Sequence, residues 1–418
     1  MYKVFSEFVE VNPRTDLPSG ASASMKVSFI PMSDVTEFGD WIGNRERALG
    51  TVRNGFTAFS DGDVLVAKIT PCFENGKGAH VIGLTNGIGF GSTEFHVLRA
   101  RDGASQRFIH HVAQSPNLRR TAEAFMSGSA GQRRVPSDFF KRYLVPDISF
   151  KEQVTLGEIL DALDTTIRQT EVIIEKLRQV KQGLLHDLLT RGIDADGKLR
   201  PPQSQAPHLY KNSPLGWIPN DWNALQFSEL AEYANGNTFD ADCWSSQGLP
   251  IIRIQNLNGS TSFNYFEGPV NSRWHVLPGD LLFAWSGQRG VSFGPRIWPG
   301  PEGVLNQHIF KVIAKSKVIS KEFLFEVLRF RQSAIEDSAH GFKDSFLHVT
   351  RGELGAVFAG IPQPDEQSAI NIRIAAFESK LMAERANLSK NMALKVALMD
   401  DLLTGRVRVT SLLGKINE

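Results

Sequence analysis

Two glycine-containing loops carry the side chains of this sequence that could do chemistry. One follows Gly62-Asp63-Val64-Leu65-Val66-Ala67, and the other follows Gly279-Asp280-Leu281-Leu282-Phe283-Ala284. Lys and Arg bind phosphate, Gln and Asn can pair with base edges, and Gly lets backbone approach a ligand closely. The loops therefore predict nucleic-acid contacts, with an ordinary solvated β-turn loop as the alternative. The candidates are Lys68, Thr70, Asn75 and Lys77 in the first loop, Trp285, Gln288 and Arg289 in the second, Arg133 and Arg134 further along, and Lys343 and Arg351 as weaker counterparts.

Motifs for catalysis, metals or cofactors are not found in the sequence. The string Arg200-Pro201-Pro202-Gln203 is not the Asn- or Asp-Pro-Pro-aromatic motif of an adenine methyltransferase, and there is no phosphate-binding Walker string. His110 and His111 lack the one-turn spacing of a helical zinc pair. We therefore expect a binding protein with no catalytic residue, metal or cofactor of its own, although an unrecognised enzyme stays open.

Two long amphipathic segments must position these loops. The first runs from Glu152-Gln153 to Asp187-Leu188-Leu189-Thr190, and both strings recur 214 residues later, at Glu366-Gln367 and Asp401-Leu402-Leu403-Thr404. Apolar steps of three, four and seven indicate helices, each roughly 55 Å long at ~1.5 Å per residue. Equal length and register predict that the two helices pack along each other, with two unrelated helices as the alternative. The predicted stripes are Leu156, Leu160, Leu163, Ile167, Ile174, Leu177, Val180, Leu184 and Leu188, and Ile374, Phe377, Leu381, Leu388, Leu394, Leu398 and Leu402.

The regions before the two helices also repeat. Ser228-Glu229-Leu230-Ala231-Glu232 matches Ser6-Glu7-Phe8-Val9-Glu10 at an offset of 222, and the two Gly-Asp strings are 217 apart. Preserved order with a shrinking offset is typical of a diverged tandem duplication. The predicted fold class is α+β: two α/β recognition domains separated by two long antiparallel coiled-coil helices, with an internal pseudo-twofold repeat. The predicted boundaries are 1–150 and 217–363 for the two domains, 151–195 for the central helix, 196–216 for an exposed and partly extended linker, and 364–418 for the C-terminal helix and tail.

Composition sets wide bounds. The net charge of +1, with 41% hydrophobic and 22% charged residues, is ordinary for a soluble globular protein. Only two cysteines occur, which excludes a disulfide framework. An acid at Glu7 argues against a signal peptide, and no apolar run approaches the ~20 residues that span a bilayer. We therefore expect a cytoplasmic protein without a membrane partner.

Several strings together carry a family resemblance over essentially the whole chain. The helix strings at 158–164 and 174–193 resemble the first central helix of the specificity subunits of type I restriction–modification systems. The string at 62–77 is similar to their first recognition domain. Gly216-Trp217-Ile218-Pro219 resembles the entry to their second domain, and Pro364-Asp365-Glu366-Gln367 the entry to their second helix.

The resemblance implies a non-catalytic subunit whose two target-recognition domains each read half of a bipartite, asymmetric sequence in double-stranded DNA. It implies that the antiparallel helices act as a ruler between the domains. It also implies two methylation subunits and motor-nuclease subunits as partners, with S-adenosylmethionine, ATP and Mg used on those subunits only. The alternative is a coiled-coil scaffold whose two heads bind proteins.

Overall fold

The computed structural model describes residues 1–129, 131–340 and 346–410, so the candidate Lys343 lies outside the described residues. The chain divides into two compact units: unit 1, Met1–Ile173 with Glu384–Glu418, and unit 2, Ile174–Ala383. Each unit contains one globular α/β part and one half of each long helix.

The globular part of unit 1 is built on two four-stranded sheets. In chain order its elements are β1 (Tyr2–Val4), β2 (Val9–Val11), β3 (Lys26–Ile30), β4 (Glu46–Ala48), α1 (Leu49–Val52), β5 (Thr57–Ser60), β6 (Val64–Ala67), β7 (Gly78–His80), β8 (Ile88–Gly91), β9 (Phe95–Ala100), α2 (Gln106–Gln114), α3 (Pro116–Glu123), α4 (Ser137–Arg142) and β10 (Leu144–Pro146), followed by the long helix α5 (Phe150–Thr190). The sheet orders are β2-β9-β6-β7 and β4-β3-β8-β5, and β1 pairs with β10.

The elements of unit 2 follow α5. In chain order they are β11 (Tyr210–Ser213), β12 (Gly216–Pro219), β13 (Asn223–Gln226), α6 (Phe227–Leu230), β14 (Ala231–Asn235), β15 (Leu249–Ile252), α7 (Ile254–Leu257), β16 (Tyr265–Phe266), β17 (His275–Val276), β18 (Leu281–Ala284), β19 (Ser286–Gln288), β20 (Gly294–Ile297), β21 (Gly303–Leu305), β22 (Ile309–Ala314), α8 (Lys321–Phe330), α9 (Gln332–Ser338), β23 (Phe346–His348), α10 (Arg351–Ala356) and β24 (Phe358–Ile361), and the long helix α11 (Pro364–Leu403) closes the chain.

The sheet topologies of the two units match strand for strand. The orders β14-β22-β18-β20 and β16-β15-β21-β17 repeat those of unit 1, and the second sheet of each unit holds one central parallel pair, β3 with β8 and β15 with β21. Strands β6 and β18, which follow the repeated Gly-Asp strings, are buried along their whole length. A strand covered on both faces needs a continuous apolar run, which explains why the apolar character of these two strings is preserved. The predicted α+β fold with a tandem repeat is confirmed.

The long helices pack antiparallel within each unit. In unit 1, Leu160 of α5 lies in one core cluster with Leu402 of α11, and Asp164 is ion-paired with Lys395. In unit 2, Leu188 shares a core cluster with Ile374, and Lys181 lies 2.5 Å from Glu378. The 214-residue offset converts one ion pair into the other, since 164 + 214 = 378 and 181 + 214 = 395. Complementary charges therefore repeat with the duplication and favour one register.

Two residues of the predicted stripes are wrong. Val180 and Leu394 are 52% and 43% exposed, whereas Lys181 and Lys395, one residue later, turn inward to their carboxylate partners. The alternating three- and four-residue spacing of the stripe reaches the lysines rather than the apolar residues before them. The predicted pairing residues that are buried are Leu160, Ile167, Ile174, Leu188, Ile374, Leu381 and Leu402, and those that are half-buried are Leu163, Leu184, Phe377, Leu388 and Leu398.

Gln153 and Gln367 have the same function in the two units. Each is 1% exposed near the start of its long helix. The Gln153 side chain accepts a hydrogen bond from Ser105 N (2.9 Å), and that of Gln367 accepts one from Ser320 N (3.1 Å) and donates to Val318 O (2.8 Å). Ser105 and Ser320 are the N-caps of α2 and α8. Each glutamine therefore ties a long helix to the globular part of its own unit.

We expect Gln367→Ala to destabilise unit 2 by about 3 kcal/mol, because buried groups that lose a hydrogen-bond partner cost about 1–3 kcal/mol each. Urea unfolding followed by tryptophan fluorescence isolates unit 2, since six of the seven tryptophans lie there and only Trp41 lies in unit 1. The exposed neighbour Ser368→Ala serves as the control, with an expected change below about 0.5 kcal/mol. Equal unfolding midpoints for the two variants would contradict this assignment.

Candidate nucleic-acid interface

The repeated Gly-Asp strings form turns that set the direction of β6 and β18. Gly62 and Gly279 have φ values of +86° and +87°, a conformation that glycine adopts without strain. The Asp63 carboxylate accepts a hydrogen bond from Ser60 N (2.7 Å), and that of Asp280 accepts one from Leu277 N (2.9 Å). The side chains and glycines repeated in these turns have a structural role. They fix where β6 and β18 begin, and each strand ends at one of the candidate loops.

In unit 1 the segment after β6 joins a second candidate segment. Thr70 N donates to Arg133 O (2.9 Å), Val135 N donates to Lys68 O (2.9 Å), and Ile69 forms a β-bridge with Arg134. The structure therefore brings the predicted candidates Lys68, Thr70, Arg133 and Arg134 together. We call the paired residues 68–70 and 132–135 the unit 1 junction.

Unit 2 contains the equivalent pairing. Val349 N donates to Trp285 O (3.0 Å), and β19 pairs antiparallel with β23, with Ser286 opposite His348. Subtracting 217 from residues 285–287 and 214 from residues 346–349 gives 68–70 and 132–135, the residues of the unit 1 junction. We call the paired residues 285–288 and 346–349 the unit 2 junction. Sequence reasoning missed Phe346 and His348 here, although the 214-residue offset from Gln132 and Arg134 leads directly to them.

The arginines of the unit 1 junction are held by the protein. Arg134 forms a two-pronged ion pair with Glu94, whose closest approach is 2.8 Å, and this contact lowers the pKa of Glu94 and raises the pKa of Arg134. Arg133 donates to Glu123 O (2.7 Å). The guanidinium groups are therefore fixed in direction before any ligand arrives, which lowers the entropy lost on binding.

A buried arginine shapes the rest of the first loop. Arg119 is 6% exposed, and its guanidinium donates to Phe73 O (2.5 Å) and Gly76 O (3.0 Å). The predicted candidate Asn75 is exposed between these two anchors, whereas Lys77 is half-buried with its ammonium 3.4 Å from Met32 O. Arg119 thus holds a compact loop that presents Asn75 to solvent, and the sequence offered no signal for this contact.

The candidates of unit 2 divide into packed and exposed residues. The Trp285 indole donates to Gln307 O (3.1 Å) and stacks on Phe310, with ring centres 5.8 Å apart, so its polar edge is engaged within the unit. Gln288 and Arg289 are exposed. Arg351, also exposed, donates to Asn235 Oδ1 (2.9 Å). Trp285 therefore packs under the unit 2 junction, while Gln288 and Arg289 remain accessible to a ligand.

Two histidines of α2 and one at the end of β7 form a cluster in unit 1. His110 is buried beside His80 and His111, with ring centres 6.0 and 5.2 Å away, and His111 Nε2 lies 2.8 Å from Asp161 Oδ1 of α5. Burial lowers the pKa of His110 well below its ordinary value, and neighbouring His111, His80, Lys395 and Arg119 act in the same direction. His110 is therefore neutral in the folded unit at physiological pH.

Acid is expected to destabilise unit 1 through His110. Its pKa is lower in the folded state than the ordinary value of about 6.5 in the unfolded chain, so the unfolded state binds protons first as the pH falls below about 6.5. His110→Phe is expected to reduce the stability lost between pH 7.5 and 5.5, because Phe325 occupies the equivalent position of α8, five residues after the N-cap. Hydrogen exchange of α2 at both pH values measures the effect, and an unchanged pH dependence in the variant would refute it.

Residues 1–129, 131–340 and 346–410 contain neither a metal-binding cluster nor a membrane-spanning helix. There, no group of three or more His, Cys, Asp or Glu side chains is placed to hold a metal ion. None of the helices described is both long and apolar enough to cross a membrane.

Comparison with known families fits this geometry. Residues 219–389 match the family described as the type I restriction modification DNA specificity domain. The specificity subunit of the type I restriction enzyme EcoAI from Escherichia coli is 34% identical over 195 residues, which are 45% of this chain and 32% of that protein. The chain thus spans about a third of the length of the first curated relatives it matches. The resemblance to type I specificity subunits is confirmed.

Solved structures share the fold over nearly the whole chain. The HsdS subunit from Thermoanaerobacter tengcongensis has a TM-score of 0.52 at 16% identity, covering 97% of both chains. A chain from a structural study of complex assembly in the type I R-M system has a TM-score of 0.61 at 16% identity, covering 97% of this chain and 98% of that chain. At such low identity these likenesses bear on the fold alone. They show that the fold is shared over nearly the whole chain, including the part before residue 219.

Proposed function

We propose that the chain is the specificity subunit of a type I restriction–modification system and recognises a bipartite, asymmetric target in double-stranded DNA. The observation that carries this proposal is the duplicated junction. The same strand pairing recurs in both units at matching positions, while the side chains it presents differ. A duplicated framework with different reading side chains suits two half-sites of different sequence.

The chemistry of the candidate residues also suits DNA. Exposed or half-exposed arginines and lysines supply phosphate contacts, and Asn75 and Gln288 carry the amide groups that pair with adenine edges. The net charge of +1 is small for a protein that binds DNA alone. We therefore propose that partner subunits supply much of the phosphate contact, and that the isolated chain binds its target weakly.

The proposed partners are two methylation subunits and, in the restricting complex, motor-nuclease subunits. S-adenosylmethionine, ATP and Mg would be used by those subunits, and this chain would contribute no catalytic group or cofactor. Apolar side chains exposed on the long helices support protein partners, since such side chains commonly mark interaction surfaces when they cluster. They are Val172, Ile173, Met392, Leu394 and Val396 in unit 1 and Val180, Ile372 and Met382 in unit 2.

The experiment that tests the function is a genome-wide map of methylated adenines. The chain is co-expressed with its neighbouring methylation subunit, and the same subunit expressed without the chain is the control. We expect methylation only when the chain is present, within one motif of two defined halves separated by an unread spacer. Methylation that does not depend on the chain, or a single uninterrupted motif, would refute the proposal.

A further inference from the structure

The β19–β23 ribbon of unit 2 presents an aromatic and polar face at its tip. Gln288 lies opposite Phe346 in the antiparallel register, and Gln288 is exposed while Phe346 is 50% exposed. Side chains alternate along a strand, so His348 shares this face with Phe346, and it too is exposed. Leu347 between them is buried on the other side. The ribbon therefore packs one face against the core of unit 2 and exposes two aromatic rings and an amide on the other face.

The exposed aromatic side chain is held in place. The Phe346 ring centre lies 5.4 Å from that of His348, which lies 5.9 Å from that of Trp285. Trp285 is fixed by its stack on Phe310 and its hydrogen bond to Gln307. A row of contacting rings thus runs from the core of unit 2 to the tip of the ribbon. Such support restricts Phe346 before binding, as a specific contact requires.

Charges around the ribbon favour an anionic ligand. Arg289 follows Gln288 directly, and Arg351 lies next to the same aromatic row, 5.9 Å from the centre of Phe310. The two carboxylates nearby have partners within unit 2: Glu336 lies 3.5 Å from Arg289, and Glu353 accepts a hydrogen bond from Thr350 N (2.8 Å). An incoming phosphate would therefore meet the Arg351 guanidinium, and it could take the place of Glu336 beside the Arg289 guanidinium.

We propose that the β19–β23 ribbon enters the major groove of the half-site read by unit 2, and that Gln288 and Phe346 determine its sequence. The major groove, about 12 Å wide, admits a two-stranded β-ribbon. A glutamine amide can make two hydrogen bonds to adenine N6 and N7, and an apolar ring contacts the thymine methyl group. This inference rests on the proposed function and adds to it the reading element and the base chemistry of one half-site.

The equivalent positions of unit 1 explain why the two half-sites differ. Phe346 and His348 correspond to Gln132 and Arg134 at the offset of 214. Arg134 is locked to Glu94, and Gln132 is an exposed amide in place of an aromatic ring. A ribbon with an apolar tip and one with an amide tip select different base pairs. We therefore expect contact with a thymine methyl group in the half-site of unit 2, through Phe346, and not at the equivalent position of unit 1.

The test compares Phe346→Ala and Gln288→Ala with wild type in the complex of the full chain with its methylation subunits, by the same genome-wide methylation map. Val291→Ala is the matched control, because Val291 is 53% exposed in the turn that follows β19. We expect each ribbon variant to relax base preference about five- to a hundredfold at one or two positions of a single half-site. The other half-site and the control are expected to keep the wild-type motif.

The outcomes separate this inference from the proposed function. If wild type produces a bipartite motif but both ribbon variants leave it unchanged, or relax both halves, the ribbon assignment is wrong and the proposed function stands. If wild type directs no methylation, both are wrong. Thermal unfolding of each variant shows whether unit 2 is still folded, and a variant that fails to fold is replaced by Phe346→Leu or Gln288→Glu.

A second measurement tests the chemistry directly. Duplexes carrying the mapped target are prepared with uracil in place of thymine in the half-site of unit 2, which removes only the methyl group. We expect wild type to bind these duplexes about fourfold more weakly, the effect of one buried methyl group, and Phe346→Ala to bind both duplexes equally. Equal binding by wild type, or a half-site without thymine, would overturn the role of Phe346.

Discussion

Replacing Arg119 with methionine is expected to weaken binding to the half-site read by unit 1 about a hundredfold, while the half-site of unit 2 is still read. Arg119 does not face solvent, so the effect acts through the loop it holds at Phe73 O and Gly76 O. Two hydrogen bonds from a charged donor contribute about 1.5–3 kcal/mol each. Without them, the loop that carries Asn75 must be ordered at the moment of binding, at a cost of about 1–2 kcal/mol per backbone residue.

Arg120→Met is the matched control for this prediction. Arg120 is the exposed neighbour, and among the residues the structure describes its guanidinium donates only to Pro116 O (3.3 Å) of its own helix. Binding is measured on duplexes in which one half-site at a time is scrambled. The salt dependence distinguishes positioning from direct contact: the slope of log affinity against log salt should stay unchanged in Arg119→Met, whereas loss of a phosphate contact lowers it by about 1. A reduced slope, or equal weakening at both half-sites, would contradict a positioning role.

The repeat made most of this fold predictable from one sequence. The strings that set it are those under the strongest packing constraint, such as the fully buried β6 and β18 and the buried glutamines that begin α5 and α11. The stripe prediction was wrong at Val180 and Leu394 because a stripe predicted from apolar residues passes over the lysines that follow them. The aliphatic part of each lysine side chain packs in the stripe, while its ammonium group pairs with Glu378 or Asp164.

The connector after α5 was also harder to predict. Residues 196–216 are polar and proline-rich, and we expected them to be exposed, yet Tyr210 is 6% exposed, and Arg200 on the same segment is 8% exposed. Arg200 is buried because Glu366, 166 residues later, neutralises it. Composition reports the average environment of a segment, whereas a single ion pair across the fold can reverse it for one residue.

The candidate interface shows the same limit. Sequence reasoning selected residues by side-chain type, and it therefore chose Trp285 and Arg351 but passed over Phe346 and His348. Strand pairing decides which of these lie side by side, and pairing between segments some 60 residues apart is not encoded in local composition. The contacts of Arg119 with the first loop could not be predicted for the same reason, since the loop accepts them through the backbone carbonyls of Phe73 and Gly76.

The last prediction concerns Glu366, which holds four elements of unit 2 together. Its carboxylate accepts hydrogen bonds from Arg200 (2.5 Å), Ile193 N (2.8 Å) and the Trp222 indole (3.1 Å). Gly192, with φ of +63°, allows this approach, because a Cβ there would lie 2.1 Å from the carboxylate. The end of α5, the connector and the strand that follows thus all depend on the first turn of α11.

We expect Glu366→Ala to lower the free energy of unfolding of unit 2 by about 3–5 kcal/mol, because among the described residues Arg200 then keeps only the half-exposed Asp221 as a carboxylate partner. Ile193 N and the Trp222 indole donate to different oxygens of Glu366, so Glu366→Gln keeps an acceptor for only one of them, and we expect it to recover about a third of the loss. Urea unfolding followed by tryptophan fluorescence measures both variants, with Trp222 reporting the site itself.

Glu152→Ala supplies the comparison in unit 1. Glu152 is the equivalent residue of α5, and its partner Arg408 follows the end of α11, as Arg200 follows the end of α5. The Arg408 side chain is 44% exposed against 10% for Arg200, so water can solvate it when the carboxylate is removed. The loss in unit 1 should therefore be about 1 kcal/mol. If hydrogen exchange of α5 in Glu152→Ala reveals a loss as large as that in unit 2, burial of the arginine is not what makes Glu366 important.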